Sequence, residues 1–399
     1  MSELTTRDLF LNIINFKHSN RTIKWEFGYW GGTINRWYKE GLPQTKNFPK
    51  LLTFGEPVPG SGVPWGAVID GAIQPRDEVI NNYFNLDSGV ELIPFNYWIY
   101  PPFEKDIINE DSKSIELYDV DGIKKRILKD NSSMPMWLEF PVKDNSSWEK
   151  IKEERFNLND IHSRYTANDN TIKYIKNNKE RTFPLGIFYY PIGFFGSIRY
   201  LLGEEKLFIS YYDNPHLIKE ICEHLYNLWI SISEDLISKI DIDIVFFWED
   251  MSGRNGSLIS PSTFKEFMTL YYKKLVGFFK AKGVKHFAVD TDGKVDELIP
   301  LFIDAGINAM FPFEQQADND LIKIRNKYPD LVIFGGIDKN AVRKGKIFID
   351  KELKKAESLI RLGGYIPFID HLTPPDCSWE NFKYYRNKLN KIIDNTEVL

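Results

Sequence analysis

Short apolar runs recur along the chain, and most of them are followed by polar or glycine residues and then by a stretch with helical spacing. The runs are rich in β-branched and aromatic residues, which favour strands. Strands that alternate with helices in this way are typical of a parallel βα-repeat protein. The eight predicted strands are Ile23–Gly28, Leu92–Trp98, Pro184–Tyr190, Ile244–Trp248, His286–Asp290, Ala309–Phe313, Val332–Gly336 and Tyr365–Ile369.

The helices between the strands are clearest in the second half of the chain. Eight regular repeats predict a closed (β/α)8 TIM barrel, because an open doubly wound sheet seldom needs so many and usually carries a glycine-rich first turn. The sequence has no G-x-G-x-x-G turn. An amphipathic N-terminal helical segment precedes the first strand. The predicted helices are Ser262–Lys282, Lys294–Ala305, Asn319–Lys327 and Lys351–Arg361.

Residues 103–181 interrupt the repeat. The segments SIELYDVDG, KKRILKDN and MPMWLEFPVK are followed by a charged helix from Ser147 onward, which predicts a hairpin and a helix inserted after the second strand. No linker rich in Pro, Gly or Ser brackets this part. We therefore expect residues 1–399 to form a single domain in which 103–181 is an insertion or lid; a separate domain is the alternative.

Composition narrows the possible functions. With 43% hydrophobic and 15% aromatic residues the chain can bury a large core, and its net charge is only −5. No cluster of Lys and Arg is interleaved with aromatics, so neither a nucleic acid nor a membrane surface is expected as a partner. The two cysteines, Cys222 and Cys377, are far apart. Together with the lack of a signal peptide or a long apolar run, this predicts a cytoplasmic enzyme.

Acidic residues follow most of the predicted strands, at the end of a barrel where catalytic groups stand. A single carboxylate after a strand is often just a helix cap, which suits Asp292 and Asp338. Many carboxylates at one rim would repel each other unless a metal ion, a cationic substrate or shared protons intervened. The acidic residues are Glu26, Glu249, Asp250, Asp290, Asp292, Glu314, Asp338 and Asp370.

One histidine and several aromatic residues lie at the same strand ends. His371 comes directly after Asp370, and its imidazole suits acid–base chemistry at neutral pH, although a structural histidine is equally compatible with the pattern. Glu249 or Asp250 is predicted to act with His371 as a general acid. The aromatic side chains predict a pocket wall for a ring or a methylated cation. They are Tyr29, Trp30, Tyr97 and Trp248.

Five segments carry a family resemblance. They read FFWEDMSGRNGSLISPSTFKEF, AVDTDG, MFPFE, FGGIDK and YIPFIDHLTPPDCSWEN. With them the chain resembles the uroporphyrinogen decarboxylase superfamily over nearly its whole length. The resemblance implies a (β/α)8 barrel and either of two chemistries, namely decarboxylation of porphyrinogens without a cofactor, or methyl transfer between corrinoid proteins and small compounds.

The decarboxylase signature is incomplete. The Arg-Gln-Ala-Gly-Arg loop that binds substrate carboxylates in that branch corresponds here to residues 28–32, which contain no arginine. Its substrate-binding Asp corresponds to Asn96, while its Tyr and His correspond to Tyr200 and His371. An acidic rim without arginines suits a carboxylate-rich substrate poorly.

The methyl-transfer branch implies a metal site. That branch holds zinc with His-x-Cys after the fifth strand and a Cys after the eighth, and the matching residues here are Asp290, Asp292 and His371. Two carboxylates and an imidazole form a harder ligand set that suits a divalent ion, zinc first, with manganese or iron(II) also compatible. The alternative is that Asp292 caps a helix while Asp290 pairs with a nearby Lys or Arg.

The first functional prediction is a methyltransferase or O-demethylase that moves a methyl group from a small methylated substrate to a corrinoid carried by a partner protein. The alternatives are a cofactor-free decarboxylase of uroporphyrinogen III or a related acid in porphyrin biosynthesis, and a barrel that only binds a small ligand. A homodimer is possible. The predicted substrate contacts are Glu26, Tyr29, Trp30, Asn96, Tyr97, Tyr200, Trp248 and Glu314.

Overall fold

A computed structural model describes residues 4–44, 68–69, 72–73, 78–93, 96–129, 135–164, 173, 176 and 180–398. Parts of the predicted insertion, residues 130–134 and most of 165–179, therefore lie outside the described residues. So do residues 94 and 95 of the predicted second strand.

Within these residues, a parallel sheet of seven strands forms the centre of the fold. The described strands are β1 (Val68–Ile69), β2 (Ala72–Ile73), β3 (Glu91–Leu92), β4 (Asp106–Glu110), β5 (Ser114–Tyr118), β6 (Lys124–Leu128), β7 (Met136–Glu139), β8 (Leu185–Ile187), β9 (Ile244–Trp248), β10 (Ser252–Gly253), β11 (Gly256–Ser257), β12 (Phe287–Thr291), β13 (Ala309–Pro312), β14 (Val332–Phe334) and β15 (Tyr365–Ile366). The order in the parallel sheet is β3, β8, β9, β12, β13, β14, β15, and every neighbouring pair in it is parallel.

The central strands are buried and mostly apolar, as expected for a parallel sheet that is covered on both faces. All five residues of β12 and all four of β13 are buried. Seven of the eight predicted strands thus belong to the sheet, and β8, β13, β14 and β15 end earlier than predicted.

The remaining predicted strand, residues 23–28, is extended but is not assigned as a strand. It lies beside both edges of the sheet. The N–H of Thr373, beyond β15, donates to the carbonyl of Gly28 at 2.9 Å, and the N–H of Asp87, before β3, donates to the carbonyl of Lys24 at 3.0 Å. These contacts bring the two edges of the sheet to the same segment.

Helices surround the sheet. The predicted helix 262–282 is broken at Met268 into two, and the first begins at a cap where Ser260 Oγ accepts the N–H of Thr263. The described helices are α1 (Thr6–Ile14), α2 (Gly31–Lys39), α3 (Glu78–Phe84), α4 (Asn145–Arg155), α5 (Gly196–Leu202), α6 (Glu204–Asp213), α7 (Pro215–Ile237), α8 (Pro261–Phe267), α9 (Thr269–Ala281), α10 (Ile299–Ala305), α11 (Leu321–Lys327), α12 (Lys339–Lys344), α13 (Lys346–Arg361) and α14 (Trp379–Asn395).

Strands β4 to β7 form a separate antiparallel sheet, four strands in the described part of the chain, where the sequence predicted a hairpin. Helix α4 follows it, capped by Asp144. The N–H of Val142 donates to the carbonyl of Leu201 at 2.9 Å, which ties this inserted sheet to α5. Among the described helices, none combines the length and the apolar character that a membrane span requires.

Candidate functional site

Four carboxyl groups and one imidazole come together where the strands of the parallel sheet end. Asp250 follows β9, Asp290 lies in β12 and Asp292 directly after it, Glu314 follows β13, and His371 follows β15. The charges of Asp292, Asp250 and Glu314 all raise the pKa of Asp290, and His371 Nε2 lies 3.5 Å from Asp292 Oδ2. We refer to these five residues as the strand-end cluster.

Asp292 and His371 form an ion pair within the cluster. His371 Nε2 lies 3.5 Å from Asp292 Oδ2. Burial lowers the pKa of His371, but the adjacent carboxylate outweighs burial and leaves this pKa raised. Burial raises the pKa of Asp292, which the imidazole more than offsets, so this pKa is lowered. The rings of Phe27 and Trp30, at 5.8 and 6.2 Å, flank the imidazole.

Asp290 is the deepest member of the cluster. Burial, and next the negative charge of Asp292, raise the pKa of Asp290 well above its ordinary value. The hydroxyl of Tyr189 donates to Asp290 Oδ2 at 2.7 Å. Asp290 therefore keeps its proton to a higher pH than an exposed carboxyl group.

Two cations that the sequence analysis did not identify form ion pairs with the other two carboxylates of the cluster. Arg199 of α5 lies 2.6 Å from Asp250, and Lys339 at the start of α12 lies 2.6 Å from Glu314. Glu314 also accepts the N–H of Gly293 at 3.1 Å. The sequence could have indicated Lys339, because it directly follows Asp338 in the FGGIDK motif. It did not indicate Arg199, which is 51 residues from Asp250 in the chain.

Glu249, predicted as a general acid, lies outside the cluster. It is fully buried, and its carboxylate accepts the N–H groups of Phe194, Phe195 and Gly196 at 2.7–2.8 Å and the hydroxyl of Tyr272. Burial raises the pKa of Glu249 and these donors lower it. The net result is a pKa raised to about 7. The carboxylate thus fixes the start of α5.

A glycine makes this approach possible. A Cβ atom on Gly193 would lie 2.7 Å from the carboxyl carbon of Glu249, far inside van der Waals contact. The loop before α5 therefore needs glycine there to wrap around the carboxylate.

Glu26 and Asp370 are also structural in this fold. Glu26 is buried, accepts the N–H of Ile369 at 2.9 Å and lies 3.4 Å from Arg386. The carboxylate of Asp370 accepts the N–H groups of Gln315 and Lys339 at 2.7 and 2.9 Å. Both carboxylates thus hold neighbouring backbone segments in place.

The predicted aromatic contacts divide into two groups. Tyr29 is completely buried between Trp37 and Phe382, at ring distances of 5.4 and 5.5 Å, so the structure places it in the core and not in the pocket wall. Trp30 and Trp248 lie beside cluster residues, since Trp30 faces His371 and Arg199 stacks over Trp248 at 5.3 Å.

Three other predicted contacts lie on neighbouring elements. Tyr200 packs on Trp248 at 5.5 Å. Tyr97 donates its hydroxyl to the carbonyl of Ile93 at 3.1 Å, and the backbone N–H of Asn96 donates to the carbonyl of Arg164 at 3.0 Å. Contact of Asn96 and Tyr97 with a substrate stays a prediction.

The residues suggested as metal ligands make other contacts in the structure. Asp292 and His371 form an ion pair, and Asp290 accepts the Tyr189 hydroxyl. Among the described residues, no group of three His, Cys, Asp or Glu side chains is arranged to hold a metal. In this arrangement the cluster offers exchangeable protons and ion pairs to a bound molecule.

A cleft of about 880 Å³ lies elsewhere, between the inserted sheet and α4. Phe103, Tyr118, Glu139 and Arg155 are among the residues that line it. It contains none of the strand-end cluster residues, so we take the cluster, with its unusual pKa values, as the candidate site.

One of the solved structures similar to this chain shares its fold over nearly the whole length. A methyltransferase from Methanosarcina mazei aligns over 98% of this chain and 99% of its own, with a TM-score of 0.58 and 11% sequence identity. A B12-independent methionine synthase from Shewanella sp. W3-18-1 aligns over 81% of this chain and 89% of its own, with a TM-score of 0.38 and 11% identity. Among curated proteins, no relative matches the sequence.

A sequence profile decides the family. The profile of uroporphyrinogen decarboxylase (URO-D) matches residues 136–391, from the last strand of the inserted sheet into the last helix, and so covers more than half of the chain. The matched part contains all five residues of the strand-end cluster. The chain belongs to the uroporphyrinogen decarboxylase family.

Proposed function

We propose that this chain is a methyltransferase that takes a methyl group from a small methylated substrate and passes it to a corrinoid carried by a partner protein. The observation that carries the proposal is the buried carboxyl group of Asp290, which accepts the Tyr189 hydroxyl next to the Asp292–His371 ion pair. Because burial and the charge of Asp292 raise the pKa of Asp290, this group can serve as a proton donor to a leaving atom. We also propose that residues 23–28 complete the parallel sheet as a closed barrel with the site at one end.

In the proposed step the substrate gives its methyl group to the acceptor and receives a proton from the enzyme. The bond between the methyl carbon and its oxygen or nitrogen breaks with the electron pair left on the heteroatom, and a proton from Asp290 or His371 neutralises that atom. The methyl acceptor supplies the electron pair of the new bond. Asp292 keeps His371 charged until the transfer, and Tyr189 keeps the acidic group of Asp290 in place.

The exposure of the site is compatible with a methyl acceptor that is carried by a second protein. The side chains of Asp250 and Asp292 are 33% and 32% exposed, so a group delivered by a second protein can reach them without an opening of the core. The corrinoid partner is proposed from the methyl-transfer branch of the family, and the proposal assigns no metal ion to this chain.

Decarboxylation of uroporphyrinogen III is the second candidate, because a proton donor beside an ion pair could also protonate a carbon atom after loss of CO2. The charges at the site disfavour it. The cations beside the cluster, Arg199 and Lys339, are already paired with Asp250 and Glu314 and are poor receptors for a carboxylate-rich substrate.

A direct test supplies free cob(I)alamin as the acceptor, under reducing anaerobic conditions, with a panel of small methyl ethers and methylamines. We expect the absorbance of methylcobalamin to appear in an enzyme-dependent manner. Asp290→Asn and His371→Ala should each slow the reaction by about 100-fold, the usual range for loss of a general acid. Asp338→Asn, which alters a helix cap and a contact with Gln316 but none of the cluster residues, is the matched control.

A second assay decides between the two candidates. Uroporphyrinogen III incubated with the protein should yield no coproporphyrinogen above the rate without protein. Turnover of uroporphyrinogen III, together with no methylcobalamin from any donor in the panel, would replace the proposal with the decarboxylase.

A further inference from the structure

An aromatic wall adjoins the strand-end cluster and takes no part in the proposed proton transfer. Tyr190 packs edge-on against Trp248 at 4.8 Å and against Tyr200 at 5.5 Å, and Tyr200 packs on Trp248 at 5.5 Å. Trp137 of the inserted sheet extends the wall, 6.5 Å from Tyr200. Tyr190 and Trp137 are 48% and 40% exposed, so the wall keeps ring surface open to a ligand.

The wall meets the cluster at Arg199. The guanidinium of Arg199 lies over the ring of Trp248, 5.3 Å from its centre, and pairs with Asp250 at 2.6 Å. The ring face of Trp248 on which a methylated cation would sit is therefore already covered by a cation.

Three of the four carboxyl groups of the cluster are already paired with a cation. Each pair consists of one carboxylate and one cation, and the Asp290 side chain accepts the hydroxyl of Tyr189. A positively charged ligand would have to displace one of these cations and leave it without its partner in a partly buried site. The pairs are Asp250 with Arg199, Asp292 with His371, and Glu314 with Lys339.

We propose that the wall binds a planar, uncharged aromatic ring, so that the methylated substrate is an aryl methyl ether and not a methylated ammonium ion. This inference rests on the proposed function, since it names the substrate class of the same site. The ring lies against the exposed face of Tyr190, and its methoxy oxygen points to the proton donors of the cluster. Asp290 or His371 protonates that oxygen as the methyl group leaves, and a phenol remains.

Binding of guaiacol (2-methoxyphenol), measured by titration calorimetry without any corrinoid, tests the inference. We expect guaiacol to bind and tetramethylammonium neither to bind nor to compete with it. Tyr190→Leu should weaken guaiacol binding roughly tenfold, because an aromatic contact is lost, while Tyr190→Phe keeps the ring and stays within about twofold of the wild type. Tyr212→Leu, at a 78% exposed tyrosine of α6, is the matched control and should bind like the wild type.

The results separate this inference from the proposed function. Tight binding of tetramethylammonium, or unchanged guaiacol binding by a Tyr190→Leu protein whose circular dichroism matches the wild type, would overturn it. Methyl transfer from a methylammonium donor alone would keep the proposed function and overturn the aryl ether. Guaiacol binding that depends on Tyr190, with no methyl transfer from any donor, would keep the aromatic site and overturn the proposed function.

Discussion

The hydroxyl of Tyr189 donates a 2.7 Å hydrogen bond to Asp290 Oδ2, across the 101 residues that separate the two in the chain. The loop that brings Tyr189 there has an unfavourable backbone, with φ of 68° at Phe188 and 149° at Tyr189. Each such non-glycine residue costs about 1–3 kcal/mol, and strain of this kind is held in place mainly at functional sites. We infer that Tyr189 is a positioning residue for Asp290.

Tyr189→Phe tests that role by removing a single oxygen atom. Loss of a hydrogen bond to an acidic group should reduce kcat by about tenfold or more, with little effect on KM, because the ring still fills its place. Since the Tyr189 hydroxyl lowers the pKa of Asp290, its removal should raise this pKa further. The carboxyl stretching band of Asp290, followed by infrared spectroscopy against pH, reports the change.

An unchanged Asp290 titration in Tyr189→Phe would contradict the positioning role, whatever the activity. Tyr212→Phe serves as the control, since Tyr212 lies on the exposed side of α6. It should leave both kcat and the Asp290 band unchanged.

The sequence predicted the strands well and the choice between adjacent site residues poorly. Glu249 and Asp250 both follow β9, and Asp370 and His371 both follow β15, but in each pair one side chain points into the cluster and the other braces a loop. Both pairs lie beyond the ends of their strands, and Asp250 has a φ of 42°, so the alternation of an extended strand could not decide which side chain enters the cluster.

The first strand illustrates the same limit. The pattern of residues 23–28 was recognised, and Glu26 was assigned to the pocket because of its charge. In the structure the adjacent Phe27 faces the site and packs against His371 at 5.8 Å, while Glu26 turns to Arg386 of the last helix. Only the position of α14 decides this orientation, and no local sequence signal encodes it.

The cations of the cluster needed tertiary structure. Arg199 reaches Asp250 from a helix that starts after the preceding strand, and its position depends on the carboxylate of Glu249, which holds the beginning of that helix. Glu249, which its position suggested to be catalytic, thus acts by fixing α5, the helix that carries Arg199 of the site.

Glu249→Gln should therefore lower the stability of the fold. The amide would present a donor to backbone N–H groups that now donate to a carboxylate, and each unsatisfied buried group costs about 1–3 kcal/mol. We expect the free energy of unfolding in urea to fall by about 3 kcal/mol or more. Glu205→Gln, at an exposed glutamate of α6, should leave stability unchanged. A Glu249→Gln protein as stable as the wild type but inactive would instead return Glu249 to the catalytic group.

The ion pair between Asp292 and His371 should make the imidazole titration sensitive to one substitution. Its pKa is raised above 6.5 by Asp292 against the effect of burial, so Asp292→Asn should lower this pKa. The His371 resonance in an NMR titration measures the shift directly. Asp338→Asn removes a carboxylate that caps α12 and should leave the resonance unmoved. An equal His371 pKa in wild type and Asp292→Asn would refute the pair.

The same pair gives stability a defined pH dependence. Because the folded-state pKa of His371 is raised, the contribution of its charged form is fully present below the unfolded-state pKa of about 6.5 and is lost as the pH rises through the folded-state value. Asp292 has the opposite shift, so its contribution is lost when the pH falls through its own lowered pKa. Urea unfolding should show a larger loss between about pH 6 and pH 9 in the wild type than in His371→Ala.

Zinc should bind the strand-end cluster poorly. A metal ion held by Asp290, Asp292 and His371 would need their donor atoms at about 2.0–2.2 Å from one centre. In the structure Asp292 pairs with His371 and Asp290 accepts the Tyr189 hydroxyl, so a metal would have to replace both contacts and compete with the proton on Asp290. We expect zinc-treated, desalted wild type and His371→Ala to contain the same amount of zinc by elemental analysis, well below one ion per chain. Stoichiometric zinc in the wild type that disappears in His371→Ala would show that the three side chains rearrange around a metal, and the proposed proton transfer would then have to be derived again from a metal-bound site.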